Sequence, residues 1–276
     1  MSTRIPIICV IGPTGSGKSA RAIELAKKIG GEVISVDSRQ VYKTLDIGTE
    51  KISQEEMQGV PHHLIDIREP EDSYSAGDFV KDASRLIEVI HSHGKTPILA
   101  GGTHFYFDAL LNGLPCQLDK NEEFRKTLEL KTNEELLEEI KKQDGRRANE
   151  LDPNNRRRLV RALEIIEARG VVPERETENK YDVTWVILES SREELRAKIA
   201  KRLQETLARG LIEEVRRTRE RVGDERLNEL GLEYRIVGEF IREERTEESL
   251  LPALQAKLFQ YARRQEAWIR KLRVAT

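Results

Sequence analysis

The chain has 276 residues, 35% charged and 38% hydrophobic, and its 47 Lys plus Arg nearly balance 49 Asp plus Glu, for a formal net charge of -2. That length suits one large domain, or one domain carrying a sizeable insertion, and the balance excludes a global pull on nucleic acid, leaving that work to local basic patches. Cys9 and Cys116, far apart, suggest neither a disulfide framework nor a paired-cysteine metal site, and no apolar run approaches the ~20 residues that cross a bilayer. The N-terminal apolar stretch is too short for a signal peptide. A soluble cytoplasmic protein with no membrane partner is therefore expected.

In chain order, IPIICVI (5–11) is a continuous apolar run of strand type, with Cys9 as a small core residue. SARAIELAKKIG follows as a helix ending at Gly30 and Gly31, then GEVISVD as a second strand. After the irregular SRQVYKTLDIGTEKISQEEMQGV, HHLIDI (62–67) reads as a third strand. SAGDFVKDASRLIEVIHSHG is amphipathic, with Phe79, Ala83, Leu86, Ile87 and Ile90 on one face and Gly94 at its end. KTPILAGG is another apolar strand. Strands that are apolar throughout and alternate with helices call for a parallel sheet covered on both faces, an α/β core of P-loop type.

From about Pro115 the texture becomes charged and helical, with no strand candidate until YDVTWVILES; from Ser191 onward everything reads as helix. The expected organisation is a P-loop α/β core over 1–114 and 155–276, completed by C-terminal helices, with a helical insertion at 115–154. Basic clusters lie at Arg156–Arg158 with Arg161, at Arg216 and Arg217 with Arg219 and Arg221, and at Arg263 and Arg264 with Arg270, Lys271 and Arg273. Each is either a solvated helix face or a phosphate-binding patch.

Between the first strand and helix stands Gly12-Pro13-Thr14-Gly15-Ser16-Gly17-Lys18-Ser19. The spacing GxxxxGK[ST] in a strand–loop–helix context lets backbone N–H groups turn toward an anion, which the helix dipole also favours. Lys18 can reach a terminal phosphate and Ser19 can ligate Mg²⁺. An ordinary ATPase or GTPase needs more: a carboxylate on a neighbouring strand, and for GTP a base-reading NKxD, which is missing. The strand TPILAGG ends in Gly101-Gly102-Thr103 with no acid, whereas GEVISVD ends in Asp37. Strand carboxyl ends form the ligand crevice of a parallel sheet, so Asp37 and Thr103 share a rim with the loop. Either they are turn formers, or Asp37 takes a proton from an acceptor beside a group attached to a diphosphate.

These residues resemble one family, the tRNA dimethylallyltransferases, also called tRNA isopentenyltransferases. The resemblance rests on GPTGSGKSARAIELAKKIGGEVISVDSRQVYKTLDIGT, GVPHHLIDI, SYSAGDF and GKTPILAGGTHFYFDALLNGLP, and more weakly on LDPNNRRRLVRALEI, ARGLIEEV and YARRQEAWIRK, in family order over nearly the whole chain. It implies a loop that holds the diphosphate of dimethylallyl diphosphate rather than ATP, with Mg²⁺ and with Arg202 as a further diphosphate ligand. It implies transfer of the five-carbon group to N6 of the adenosine immediately 3′ of the anticodon, with Asp37 as base and Thr103 as helper hydroxyl. Asp37, Ser38, Arg39, Gln40 and Thr103 would bind tRNA, Gln40 as reader of the adenine edge. Arg125, Arg157, Arg158, Leu159, Val160 and Arg161 would meet tRNA, the insertion would grip the anticodon stem, and Arg263, Arg264 and Trp268 would supply phosphate contact and stacking. A monomer is expected.

Two departures stand out. The family commonly has GGTGLY where this chain has Gly102-Thr103-His104-Phe105-Tyr106; His104 either shapes the allyl pocket or caps a helix. A GYKE-like segment is replaced by Gly231-Leu232-Glu233-Tyr234-Arg235, which unsettles local tRNA contacts. His62 and His63 have no third ligand at metal spacing and suit structural roles. The rival functions are a small-molecule kinase, which would need a lid and an ATP base site, a prenyltransferase acting on free AMP, and a nucleic-acid-binding module with a vestigial loop. The basic helical segments favour tRNA, and intact Lys18, Ser19, Asp37 and Thr103 favour catalysis.

Overall fold

A computed structural model describes residues 4–116, 118, 121–175 and 180–275, excepting the side chains of 273–275. Arg273, in the last basic cluster, lies outside the described side chains. The chain divides into two compact units, Met1–Leu111 with Asn179–Thr276, and Asn112–Glu178.

The first unit is built on β1 (Ile5–Ile11), α1 (Lys18–Ile29), β2 (Glu32–Ser35), α2 (Gln54–Met57), β3 (His62–His63), α3 (Ala76–Ser92), β4 (Pro97–Ala100) and α4 (His104–Asn112). Four helices separate these from its remaining elements, and the strands run in the order β3-β2-β4-β1-β5, all parallel, with β5 at Tyr181–Ile187. Ile8 pairs with Ile98 and Val33 with Ile98 on opposite edges of β4, so β4 lies between β1 and β2. The α/β core expected from apolar strands is present. One strand is shorter than HHLIDI implied: β3 stops at His63, because Leu64 and Asp66 take positive φ angles of 63° and 56° that break an extended run. His63 pairs with Glu32 at 2.7 Å and the His62 ring bonds the Val60 carbonyl oxygen at 2.8 Å, so both have structural partners.

Helix α3 starts at Ser75, whose hydroxyl and Asp78 form a reciprocal capping box, and it buries Phe79, Ala83, Ile87 and Ile90, the face its period indicated. The remaining helices of this unit are α9 (Arg192–Ala208), α10 (Leu211–Glu229), α11 (Leu232–Ile241) and α12 (Glu247–Ala275), which carry Leu195, Ile199, Val215, Val237 and Leu254 into the same core. Each such side chain contributes about 1.5–3 kcal/mol by burial. Among the described residues no helix is long and apolar enough to cross a membrane.

The second unit holds α5 (Glu122–Glu129), α6 (Asn133–Gln143), α7 (Gly145–Glu150) and α8 (Arg156–Arg169). It extends beyond the expected insertion of 115–154: α8 belongs here and not with the core. The reason is its apolar face, since Leu159, Leu163 and Ile166 pack with Leu128, Leu136 and Ile140 into a core of their own.

Candidate functional site

The site of the first unit forms where β1, β4 and β2 end side by side. After Ile11 the loop folds on itself: the Ser16 amide donates to the Pro13 carbonyl at 3.2 Å, and Lys18 Nζ donates to the same oxygen at 2.8 Å. Gly17 sits at φ 86° as the residue before α1, a left-handed conformation open to glycine at little cost. The amides of the first helical turn have no intrahelical acceptor and carry the positive end of the helix dipole. Burial lowers the Lys18 pKa to about 8; Asp37 opposes the shift and Arg202 adds to it, so all three charges share one field. Arg202 Nη1 donates to Thr14 Oγ1 at 2.8 Å, which brings this α9 arginine to the loop as expected.

Two residues beyond β2, Asp37 is fixed by its own turn. Its Oδ1 accepts from the amides of Arg39 at 2.8 Å and Gln40 at 3.3 Å, and Oδ2 has no partner among the described residues. Thr103 knits the neighbouring strand end to it: the Ser38 amide donates to Thr103 Oγ1 at 3.1 Å, and the Thr103 amide donates to the Val36 carbonyl at 3.1 Å. This close approach requires Gly101, where a Cβ would lie 2.1 Å from the Val36 oxygen. Asp37, Ser38 and Thr103 are thus brought together beside the phosphate loop.

Other expectations need correction. Gln40 does not present its amide outward: Nε2 donates to the carbonyls of Thr49 and Glu50, and Oε1 accepts from Ser35. With both ends spent on its own loop, it braces the site instead of reading a base edge. Trp268 is not a free stacking platform, because it lies against the His104 ring at 4.4 Å and 14° and meets Trp185 edge-on. His104 begins α4 without any side-chain capping bond; burial and Lys18 lower its pKa to about 4, so the ring is neutral near pH 7.

Two residues not singled out from the sequence, and Glu233 of the departing segment, complete the site. Buried Gln265 accepts from the Thr14 amide at 2.8 Å and donates to the Gly102 carbonyl at 2.9 Å, tying the phosphate loop to the glycine turn. Glu214 accepts from the amides of Asp46, Ile47 and Gly48 and from the Tyr234 hydroxyl, all at 2.7–3.0 Å. Glu233 shares the field of Arg202 and Asp37, and burial raises its pKa. Glu233 of the departing GLEYR segment therefore lies near the site, while Tyr234 is buried against Glu214. Its signal lay within segments already quoted, but nothing in a linear spacing marks which polar residue turns inward.

The basic clusters divide. On α12, Arg263, Arg264 and Arg270, with Arg192 and Glu266, line a cleft of ≈ 350 Å³, and among the described residues these four arginines have no ion pair. On α10, Arg219 pairs with Asp224, and Arg221 with Glu69 and Glu71, so this cluster is largely an ion-paired surface.

In the second unit, considered by itself, Arg156 donates to the carbonyls of Leu128, Glu129 and Lys131 and closes the end of α5. Arg125 makes a bidentate pair with Glu164 at 2.7 and 2.9 Å, and Arg161 adds a bond to Glu164 and another to the Leu118 carbonyl. Leu159 is fully buried, so its side chain is core and not an RNA contact. Val160 is half-buried, and Arg157 and Arg158 are exposed on α8.

The sequence profile of the IPP transferase family matches residues 40–272. A tRNA dimethylallyltransferase from Thermomicrobium roseum is 41% identical over 99% of this chain and 86% of its own length, and one from Anoxybacillus flavithermus is 37% identical over 96% and 87%. The crystal structure of a tRNA isopentenylpyrophosphate transferase from Bacillus halodurans superposes with a TM-score of 0.73 at 34% identity, covering 97% of this chain and 87% of that one. A eukaryotic dimethylallyltransferase acting on tRNA gives 0.84 at 31%, covering 96% and 69%.

Proposed function

The chain belongs to the IPP transferase family, and from that premise we propose that it moves the dimethylallyl group of dimethylallyl diphosphate to N6 of the adenosine 3′-adjacent to the anticodon in tRNA. The observation that carries this reading is the Asp37 carboxylate, held through Oδ1 by two amides with Oδ2 open, on the rim that also bears the phosphate loop.

The exocyclic amine of adenine is a poor nucleophile because its lone pair is delocalised into the ring. Asp37 Oδ2 accepts its N–H and takes the proton as the C–N bond forms. Thr103 holds the turn that aims the carboxylate. On the donor side the allylic C–O bond breaks, and negative charge gathers on the departing diphosphate. Lys18, Arg202 and the amides opening α1 stabilise that charge, most strongly once water is excluded. Lys18 leaves its resting bond to Pro13 to do so. The target base must be extruded from its stack to reach Asp37.

Mg²⁺ is the metal we propose. Ser19 is exposed at the start of α1 with no protein partner among the described residues, and a magnesium ion bound with a diphosphate takes most of its oxygens from phosphate and water. The ion would neutralise diphosphate charge, with Ser19 as its protein ligand. Arg158 and the cleft arginines Arg263, Arg264 and Arg270 are the groups we assign to RNA phosphates. A tRNA substrate places the protein in the cytoplasm on this reading, and we propose separately that it acts as a monomer.

The test is incubation with labelled dimethylallyl diphosphate and, separately, an anticodon stem-loop or free AMP. Label is expected on the stem-loop adenosine alone. Transfer to AMP would make this a free-nucleotide prenyltransferase, and steady ATP hydrolysis would make it a kinase.

A further inference from the structure

His104 stands where the strand β4 turn enters α4, one residue beyond Thr103. Its ring is 9% exposed, flat against Trp268, and its Nε2 is buried without any hydrogen-bond partner. The charge on Lys18 reaches this ring and helps to keep it neutral. A buried polar nitrogen left unpaired is costly, and such a group in a native fold points to a partner that arrives later. The partner must suit a neutral imidazole, here taken in its Nε2–H tautomer, beside the half-buried Lys18 ammonium. An oxyanion suits both, because it satisfies the donor and offsets the cation at one position. A second cation or an apolar group would leave Nε2 as it is.

We propose that His104 is a further catalytic residue, donating a hydrogen bond from Nε2 to a diphosphate oxygen of the prenyl donor held by the loop. This rests on the reading of residues 12–19 as a diphosphate cradle. In the reaction the C1–O bond of the donor breaks with its electron pair passing to the bridging oxygen, the N6–C1 bond forms, and the N6 proton passes to Asp37. His104 keeps its own proton and shares it, so diphosphate departs as an anion. Stacking on Trp268 fixes the plane of the ring, and Trp185 backs Trp268 in turn. The donor N–H is thereby oriented before the ligand arrives, as effective electrostatic stabilisation requires.

The experiment uses the full chain and inorganic pyrophosphate as probe, followed by calorimetry, with kcat/KM for the prenyl donor measured alongside. His104→Phe keeps an aromatic ring on Trp268 and removes the N–H; His104→Gln keeps an N–H at a similar reach from the backbone. The expected result is that His104→Phe weakens pyrophosphate binding and kcat/KM for the donor by roughly tenfold or more, while His104→Gln stays within about threefold and stem-loop affinity is unchanged in both. Should His104→Phe melt early, His104→Gln against His104→Met makes the same comparison with two unbranched side chains. Pyrophosphate affinity equal to wild type in the variant lacking the N–H overturns the proposal. Lys18→Ala is the control: if it too leaves pyrophosphate binding intact, the cradle reading itself is wrong, whereas loss in Lys18→Ala alone removes only His104.

Discussion

The two loops that face each other across the end of β4 are held in opposite ways. Residues 12–19 take most of their shape from within, through Gly17 at positive φ and a single carbonyl, Pro13, that gathers Ser16 and Lys18, with Thr14 alone tied from afar, by Gln265 and Arg202. Residues 37–50 are fastened from far along the chain: Glu214 holds three amides, Thr206 and Arg209 hold Glu50, and the Tyr234 hydroxyl closes on Glu214. A cradle for a compact anion needs only a fixed ring of donors. A surface that must accept a bulky base takes its rigidity from the helices packed behind it, so the acceptor side draws more of its backbone fixing from α9–α11 than the donor side, which they reach only through Arg202 on Thr14.

The sharpest break in that symmetry comes from Asp37→Ala. The substitution removes the proton acceptor and leaves the phosphate loop intact. Transfer is expected to fall by ~10²-fold or more, with stem-loop and pyrophosphate affinities each within a few-fold of wild type. Single-turnover transfer and separate binding titrations check it. Equal loss of binding and rate would make Asp37 a structural turn residue.

Next is Glu214→Ala, which acts on the fastening itself. Three amides and the Tyr234 hydroxyl lose a buried acceptor, for a cost of about 3 kcal/mol or more, read as a fall in melting temperature. The KM for stem-loop is expected to rise roughly tenfold while pyrophosphate affinity stays within about twofold. If both ligands weaken alike, the two loops are one mechanical body and the contrast drawn above is wrong.

That same contrast explains what the sequence made legible. The phosphate loop has local causes, so a fixed spacing of Gly, Lys and Ser announced it, and the apolar strands around it announced a parallel sheet. Asp37 and Thr103 followed from the rule that strand ends share a rim. Glu214, Gln265 and Glu233 did not, because each acts on partners roughly 165 to 250 positions away or on charges brought near only by folding, and a lone polar residue in a helix reads as solvated. Gln40 misled for the complementary reason: an amide suits adenine, but it suits two free loop carbonyls equally well and they are nearer. The boundary near 155 failed because a charged helix with RRR at its start hides the apolar face of Leu159, Leu163 and Ile166.

The second unit offers a test that separates core from contact. Glu164 is nearly fully buried between Arg125 and Arg161; burial alone would raise its pKa, but these arginines and the Asn121 amide win and lower it. A carboxylate with a lowered folded-state pKa contributes stability that is complete above its ordinary value, ~4.3, and disappears as the pH falls through the lower folded value. Amide exchange on α5 and α8 is expected to quicken in that acidic window before it does on β1 and β4. Glu164→Ala, leaving two arginines facing a buried void, is expected to cost the unit about 3 kcal/mol at neutral pH, with pyrophosphate affinity unchanged. Unaltered exchange in α8 would mean that the pair adds nothing net.

The smallest expected effect distinguishes an arginine spent on the fold from one left for RNA. Arg125, Arg156 and Arg161 are engaged with Glu164 or with backbone carbonyls, whereas Arg158, on α8 with Arg156 and Arg161, is exposed with no ion pair among the described residues. Because a phosphate contact is sequence-independent and releases a counterion, Arg158→Ala is expected to weaken stem-loop binding only a few-fold at ~0.15 M salt and to lower the salt slope by about one. Melting temperature should not move, since the side chain lies in water in the free protein. Measuring affinity at several salt concentrations decides the matter: an unchanged slope would return Arg158 to the solvated helix face, while a changed slope with an unchanged fold would place one RNA phosphate at the start of α8.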